Sequence, residues 1–316
     1  MNLTKTDIKL FSYIYHHGRE SYTKIAKACS LSRAQVEYGI KKLEKNGIIK
    51  KYVTMFNYKL LGYNHFVVVW MRVKKNKDMI KKVLEAMKNV ISVGDILIHY
   101  DVFANFIVKD IQEFENIFYS FLEEYKDDLL EYYIFPTTYI GFFPLKVFGI
   151  LKKKKDYEII GKEDSRVELN DKDFSILKEL EKNARVPIID IAKKTSISSE
   201  LIVYKLKQFY KQKLVLGTRI QFDSEKIGFY AGLVVMKIDK NEELIKKIKT
   251  FCRCHKHVNA LALGISDFNC FIQIFYQKDS ELRQTIRDID ENFKEAIKKT
   301  KVIFLENEGR VKTLPY

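Results

Sequence analysis

Apolar residues along the first fifty positions recur at helical spacing, and the same sequence of apolar and polar positions returns in the second half of the chain. Leu3 to His17 predicts a helix: Thr4 caps it with Asp7 at the third position, Ile8, Phe11, Ile14 and Tyr15 form its apolar stripe, and Gly18 ends it. Tyr22 to Cys29 predicts a short second helix and Ser30-Leu31 a tight corner. Ser32 then caps a third helix, with Gln35 placed to complete a capping box. Within that helix Val36, Ile40 and Leu43 share one face, which leaves Arg33, Gln35, Tyr38, Lys41 and Lys42 for an outside partner. This is the layout of a helix-turn-helix, and the β-branched, aromatic run from Ile48 to Asn57 predicts a two-stranded wing after it.

From His65 the pattern changes. Strand FVVVWMRV, helix Asp78 to Lys88, strands Val90 to Ile98 and Val102 to Lys109, helix Gln112 to Tyr125 and strand Leu130 to Tyr139 follow in the order βαββαβ. That order predicts a ferredoxin-like sheet with two helices on one face and an apolar face left to find a partner. The apolar stretch from Ile140 to Leu151 reads as a linker docked on the protein, since Pro144 and Lys146 break a membrane-surface helix. Lys152 to Lys155 read as a solvated run at a domain boundary.

The first head is repeated without a gap. Leu3 pairs with Leu169, Asp7 with Asp173, Arg19 with Arg185, Ser32 with Ser198, Tyr38 with Tyr204, Lys41 with Lys207 and Gly62 with Gly228. The same strand and helix order then recurs as Leu233 to Ile238, Glu242 to Cys254, Val258 to Leu263, Phe268 to Phe275, Ser280 to Ile297 and Val302 to Glu306. A period this long predicts a fused duplication. The expected fold class is α+β, a tandem duplication of a winged helix-turn-helix plus a ferredoxin-like βαββαβ domain. Its parts are residues 1–62 (winged helix-turn-helix), 63–147 (ferredoxin-like), 148–165 (linker), 166–228 (second winged helix-turn-helix) and 229–316 (second ferredoxin-like domain).

Charge sharpens this reading. The formal net charge is +15, and residues 1–62 carry twelve Lys and Arg against four Asp and Glu, whereas residues 166–228 carry thirteen against nine. The first head is therefore the stronger footprint for a polyanion, and binding there is expected to weaken steeply with salt. No signal-peptide core and no uninterrupted apolar run of about 20 residues is present, and four scattered cysteines suit a reducing compartment, so a cytoplasmic chain with no membrane partner is expected.

Taken together, L-x-x-x-D at Leu3 and Asp7, Gly18-Arg19, Ile25-Ala26, Leu31-Ser32 with Val36, Leu43 to Ile49 and Leu61 to Tyr63 resemble the leucine-responsive/asparagine regulator (Lrp/AsnC) family of transcription factors, as two subunits in tandem. The resemblance implies double-stranded DNA as partner, an amino-acid effector, an internal pseudo-dimer and a homo-oligomer. It also implies a G-x-x-D turn for the effector, matched by Gly264 and Asp267. In the first half Asp101 is present but Ile98 replaces the glycine. The family's usual arginine three residues after the recognition-helix valine is replaced by Gly39 and Lys205, which predicts a lost contact in the first head.

The DNA-binding candidates are Thr23, Lys27, Ser32, Arg33, Gln35, Tyr38, Lys41 and Lys42 in the first head, and Ser198, Ser199, Tyr204, Lys205 and Lys207 in the second. Arg33 and Gln35 suit base edges, and Lys41 and Lys42 suit phosphates. The second recognition helix opens Ser198-Ser199-Glu200-Leu201 and is expected to be the weaker reader. Effector candidates are Gly264, Asp267 and Asp101. The cluster Cys252-Arg253-Cys254-His255-Lys256-His257 is not a standard closed zinc spacing, and Cys252 shares a helical face with Ile245 and Ile248, so neither metal nor cofactor is expected. An enzymatic alternative remains, because sirohaem decarboxylases look like the same two-domain architecture; its candidates are His65, His99, His255, His257 and Arg253. No catalytic constellation stands beside them, so no enzyme is expected.

Overall fold

The computed structural model describes residues 3–149, 156–160 and 167–315, and the lysine run Lys152 to Lys155 lies outside them. The first head consists of α1 (Lys5–His17), α2 (Tyr22–Cys29), α3 (Arg33–Lys45) and β1 (Ile49–Phe56). Thr4 and Asp7 form the expected capping box on α1, and Ser32 and Gln35 form the one on α3. The corner between α2 and α3 turns on Ser30, at φ +53°. Then come β2 (His65–Val73), α4 (Lys77–Ala86), β3 (Val90–Ile96), β4 (Val102–Val108), α5 (Ile111–Tyr125), β5 (Leu129–Phe142) and a short β6 (Tyr157–Ile160). The second copy runs α6 (Asp171–Lys182), α7 (Ile188–Thr195), α8 (Ser199–Lys211), β7 (Val215–Phe222), β8 (Tyr230–Ile238), α9 (Glu242–Cys254), β9 (Val258–Gly264), β10 (Cys270–Tyr276), α10 (Asp279–Phe293) and β11 (Ile297–Val311).

The wing departs from expectation. Each head supplies one strand, not two, and β1 pairs antiparallel with β7 of the other head, with Val53 opposite Arg219 and Thr54 opposite Thr218. The wing is thus shared. Arginines fasten the same seam in both directions: Arg19 donates from Nη1 to the carbonyls of Ala184 and Val186 at 2.7 and 3.0 Å, and Arg185 donates to those of Gly18 and Glu20. The Arg185 guanidinium also lies over the Tyr22 ring, 4.8 Å from its centroid. These contacts join the heads into one body.

The ferredoxin-like halves do the same with their sheets. Each half has its strands in the order fourth, first, third, second (β5-β2-β4-β3 and β11-β8-β10-β9), and β3 pairs with β11 while β9 pairs with β5. Because β2 also pairs with β5, eight strands close into a ring, and β6 adds to β5 outside it. The two apolar faces meet inside, where Trp70, Ile96, Phe103, Phe135, Val235, Phe268, Phe271 and Ile303 form one core. The outer faces are covered by helices: Ile80, Leu84, Phe114, Phe118 and Phe121 pack with the first sheet, and Ile248, Cys252, Leu282 and Ile289 with the second. Closure leaves the two main sheets without free edges, the usual route to unwanted pairing. The stretch expected as a linker is partly strand, since β5 runs on to Phe142 and β6 returns beside it.

Gly264 sits at the β9–β5 seam. A Cβ there would lie 2.4 Å from the carbonyl oxygen of Pro136 and 2.6 Å from the Phe135 ring. Backbone cannot yield as a side-chain tip can, so Gly264→Ala is expected to destabilise the fold by about 1–3 kcal/mol, read from denaturant unfolding with the wild type as reference.

Candidate nucleic-acid interface

The recognition helices α3 and α8 begin at the surface. In the first head Ser32, Arg33, Gln35 and Lys41 are exposed, and Tyr38 stands 72% exposed on the outer face, with Thr23 and Lys27 exposed on α2 beside it. Val36, Ile40 and Leu43 are fully buried on the opposite side, so the division of faces read from the sequence holds. Ser32 Oγ accepts from the Gln35 N–H at 3.1 Å, and Gln35 Oε1 accepts from the Ser32 N–H at 2.8 Å. The Gln35 carbonyl oxygen is thereby engaged in capping, and its amide NH₂ is the part left for a base.

Lys42 turns into the head. Its ammonium lies 2.8 Å from Asp7 Oδ2, and the Asp7 side chain is only 7% exposed. Lys205 does the same in the second head, 2.9 Å from Asp173 Oδ1. Each recognition helix is thus tied to the first helix of its own head by one lysine, from positions three residues apart in the repeat. The reason lies at Gly39, the repeat partner of Lys205. It is buried, and a Cβ there would come within 2.6 Å of Leu10 Cδ2. With α1 that close, a side chain at this position would have to displace Leu10, and the first head takes its lysine from the next turn. The position faces α1, and in the second head its lysine is held by Asp173. Lys41 keeps its exposed place, with Glu37 at 2.9 Å.

The second head presents less for a polyanion. Ser198 caps α8, accepting from the Leu201 N–H at 3.3 Å with no reciprocal box, and Ser199 is half-buried. Tyr204 and Lys207 are exposed. Around them stand Glu200, Val203 and Ile189, the last 62% exposed where the first head has Thr23. Ile189 was not among the residues singled out from the sequence. After α8 the chain turns on Lys213 at φ +58°, where the first head uses Gly47 at +63°.

The proposed effector turns occupy different ground from that expected. Asp267 is exposed and paired with Lys237 at 2.5 Å. Asp101 Oδ2 accepts from the Val73 N–H at 2.8 Å while its backbone N–H donates to Met71 O. Asn269 repeats both contacts with Ile238 and Met236. Asp101 is therefore the counterpart of Asn269, a clamp on the end of β2, and Gly264 corresponds to Ile96, not Ile98. The slip arises because α9 has thirteen residues and α4 ten, an insertion that a gapless pairing hides. Gly264, Asp267 and Asp101 line neither the cavity beneath the wing nor the one between α4 and α5.

A cavity of about 250 Å³ lies between the shared wing and the strand ring. Trp70, Phe103 and Phe271 contribute aromatic surface to it, and Arg219, Glu308, Gln221, Lys50, Asn105 and Gln273 contribute polar groups. The Arg219 guanidinium lies 4.5 Å from the Phe142 ring centroid and 5.3 Å from that of Tyr15. Glu308 retains accessible surface although protein surrounds it, as expected of a cavity wall. Burial pushes its carboxyl above the ordinary 4.5 against the opposing pull of Arg219 and Lys50. Lys50 itself is 3.5 Å from Asp223.

None of His65, His99, His255, His257 and Arg253 lines this cavity. His255 Nε2 lies 3.0 Å from Asp288, His257 Nδ1 lies 2.9 Å from the carbonyl of Phe275, and Arg253 pairs with Asp156. Cys252 is fully buried, which pushes its thiol well up, and Cys254 is exposed. Among the described residues no group of three potential ligands converges on a metal position, and no helix is long and apolar enough to cross a membrane.

Asp7 offers a test of the head's internal tie. Burial raises its carboxyl pKa, but hydrogen bonds from Lys42 and Thr4 outweigh this and leave it below the ordinary 3.8. A depressed carboxylate contributes stability that is full above the unfolded value and is lost as pH falls through the folded one. Asp7→Asn is therefore expected to reduce stability by about 1–3 kcal/mol at pH 7, with the difference shrinking below about pH 4. Thermal unfolding of both proteins at pH 7 and pH 3 checks this.

The winged helix-turn-helix DNA-binding family profile matches residues 3–50 and again 169–209, one match in each head. An uncharacterised HTH-type transcriptional regulator of Pyrococcus furiosus is 30% identical over 115 residues, covering 36% of this chain and 77% of that protein. The regulatory protein AsnC of Haemophilus influenzae is 28% identical over 83 residues, 25% of this chain and 55% of that protein. The fold of the whole chain is similar to that of the sirohaem decarboxylase NirDL, with a TM-score of 0.64 at 14% identity, over 99% of this chain and 94% of that one. At that identity the likeness is one of fold. With a helix-turn-helix in each half, two ferredoxin-like domains and relatives among the HTH-type regulators, the chain belongs to the Lrp/AsnC family, as two copies in tandem.

Proposed function

We propose that the chain is a sequence-specific DNA-binding transcriptional regulator in which the first head is the dominant reader and the second reads weakly or reads a different half-site. The observation that carries this is the free outer face of α3, where Arg33, Tyr38 and Lys41 are exposed while the opposite side is bound into the head. Arg33 suits a guanine edge in the major groove, and Lys41 and Lys27 suit phosphates. Because β1 pairs with β7 and the arginines cross between heads, the spacing of the two recognition helices is set within one chain. An unfused dimer presents identical heads to a palindrome, and a fusion with unlike heads suits an asymmetric site. No catalytic step enters this function. Response to a small effector, association of whole chains into a homo-oligomer and a place in the cytoplasm belong to the same reading.

A second reading, a tetrapyrrole enzyme, has the whole-chain fold likeness behind it. Against it stand the histidines and Arg253, which lie away from the central cavity, and the size of that cavity, below the roughly 300–1,000 Å³ of drug-sized sites. Appearance of a bound-sirohaem absorption band on titration would favour that enzyme over the regulator.

The lysines separate a DNA-reading surface from a merely basic one. Lys41→Ala is expected to reduce the slope of log affinity against log salt by about one, as for loss of a single phosphate contact. Lys42→Met is expected to leave that slope unchanged while lowering the stability of the first head, since its charge is already taken by Asp7. Arg33→Ala is expected to weaken operator binding by about 1–3 kcal/mol and to relax the preference at one base pair. Binding isotherms at two salt concentrations on a footprinted operator measure all three. Undiminished operator affinity in Arg33→Ala, together with loss of affinity in Glu200→Ala, would reverse the ranking of the heads.

A further inference from the structure

The central cavity is polarised by the duplication. Arg219, Gln221 and Glu308 come from the second copy, and their repeat partners Val53, Met55 and Ile140 line the same cavity from the first. Gln221 and Glu308, joined by Lys50 of the first copy, make one end charged and hydrogen-bonding, while the related end at Met55 and Ile140 is mostly apolar. Arg219 marks the axis itself, because its register partner across the wing, Val53, is also its repeat partner. A homodimer would place two arginines face to face at that point, and the fusion keeps one. Among the described residues the Arg219 guanidinium has no carboxylate within ion-pair distance and is flanked by the Phe142 and Tyr15 rings. Beyond it the aromatic surface continues, with Trp70 stacked on Phe271 at 4.8 Å and Phe271 on Phe135 at 3.8 Å.

We infer that this cavity is a binding site for a small aromatic monocarboxylate, its carboxylate against Arg219 and its ring among Trp70, Phe103 and Phe271. The volume of about 250 Å³ suits one ring with a short acid arm. A guanidinium that hydrogen-bonds the Tyr15 phenol and has no carboxylate in ion-pair contact can fix a carboxylate while the aromatic lining orients an apolar body. The position under the shared wing gives occupancy a route to the heads, since β1 and β7 form the cavity's upper wall. That consequence rests on the DNA-binding reading; the binding itself does not.

Trp70 is the sole tryptophan of the chain and lines the cavity, so its fluorescence reports the site directly. Titration of the full chain with phenylacetate is expected to give a saturable change in Trp70 emission, matched by calorimetry. Phenylacetamide, with the same ring and no charge, is expected to bind at least tenfold more weakly. Arg219→Val, which copies the first-copy residue, is expected to lose at least tenfold in affinity, and Arg219→Lys to keep part of it, with both variants cooperative in thermal unfolding. No saturable change at millimolar phenylacetate would overturn the proposal. So would equal binding of the amide, or undiminished binding by a folded Arg219→Val. Tighter binding of L-phenylalanine than of phenylacetate would overturn the monocarboxylate in favour of a zwitterion. Operator affinity is then measured with and without phenylacetate. Binding to Trp70's site in a protein with no operator affinity would refute the regulator and leave the site, whereas operator binding with a silent Trp70 would do the reverse.

Discussion

Neither copy in this chain can satisfy its own backbone. Each head supplies a single wing strand, and each ferredoxin-like sheet ends in strands whose outward N–H and C=O groups have no partner within that copy. Unpaired edges in water invite foreign strands, and the desolvated ones lose hydrogen bonds outright. The duplication answers both problems, with β1 on β7, β3 on β11 and β9 on β5. The heads are therefore held in fixed relation by the same hydrogen bonding that makes the fold, and no separate hinge or linker is required to place the recognition helices.

Helical periodicity carried most of the local structure. The boundaries of α2, α3 and α9 follow from capping residues and apolar stripes that lie within a few positions of one another, so a single stretch contains the information. The wing was harder to read. A run such as IIKKYVTMFN signals extended backbone, yet nothing within it reports that its partner lies 166 residues away. The correspondence of Asp101 with Asn269 was hidden for a related reason. An extra turn in α9 shifts the repeat, and only the hydrogen bonds on Val73 and Ile238 show which residues occupy equivalent places.

The candidate interface divides in the same way. Exposure of Arg33, Tyr38 and Lys41 follows from the helical wheel alone, because the apolar face fixes the rest. The inward course of Lys42 depends on the buried carboxylate of Asp7, thirty-five positions earlier, and on the absence of a side chain at Gly39. A lysine on the rim of a helix is drawn to the nearest desolvated carboxylate, where the local dielectric makes the attraction stronger than toward solvent. Charge counting cannot separate such a lysine from one that is free to meet phosphate, so the positive footprint of the first head is smaller in effect than its composition suggests.

Fusion also changes what evolution can do at a twofold axis. In a homodimer every residue near the axis meets its own copy, so a charged side chain there faces a like charge at short range, in a setting of low dielectric. Val53 opposite Arg219 removes that conflict. The same freedom accounts for Ile140 against Glu308 in the cavity and for Thr23 against Ile189 on the heads, where one copy keeps a polar group and the other abandons it. The backbone has remained nearly twofold, because strand pairing demands it, while side chains at and around the axis have been released from symmetry. Asymmetry of the cavity and asymmetry of the DNA-facing surface are thus two results of one covalent link.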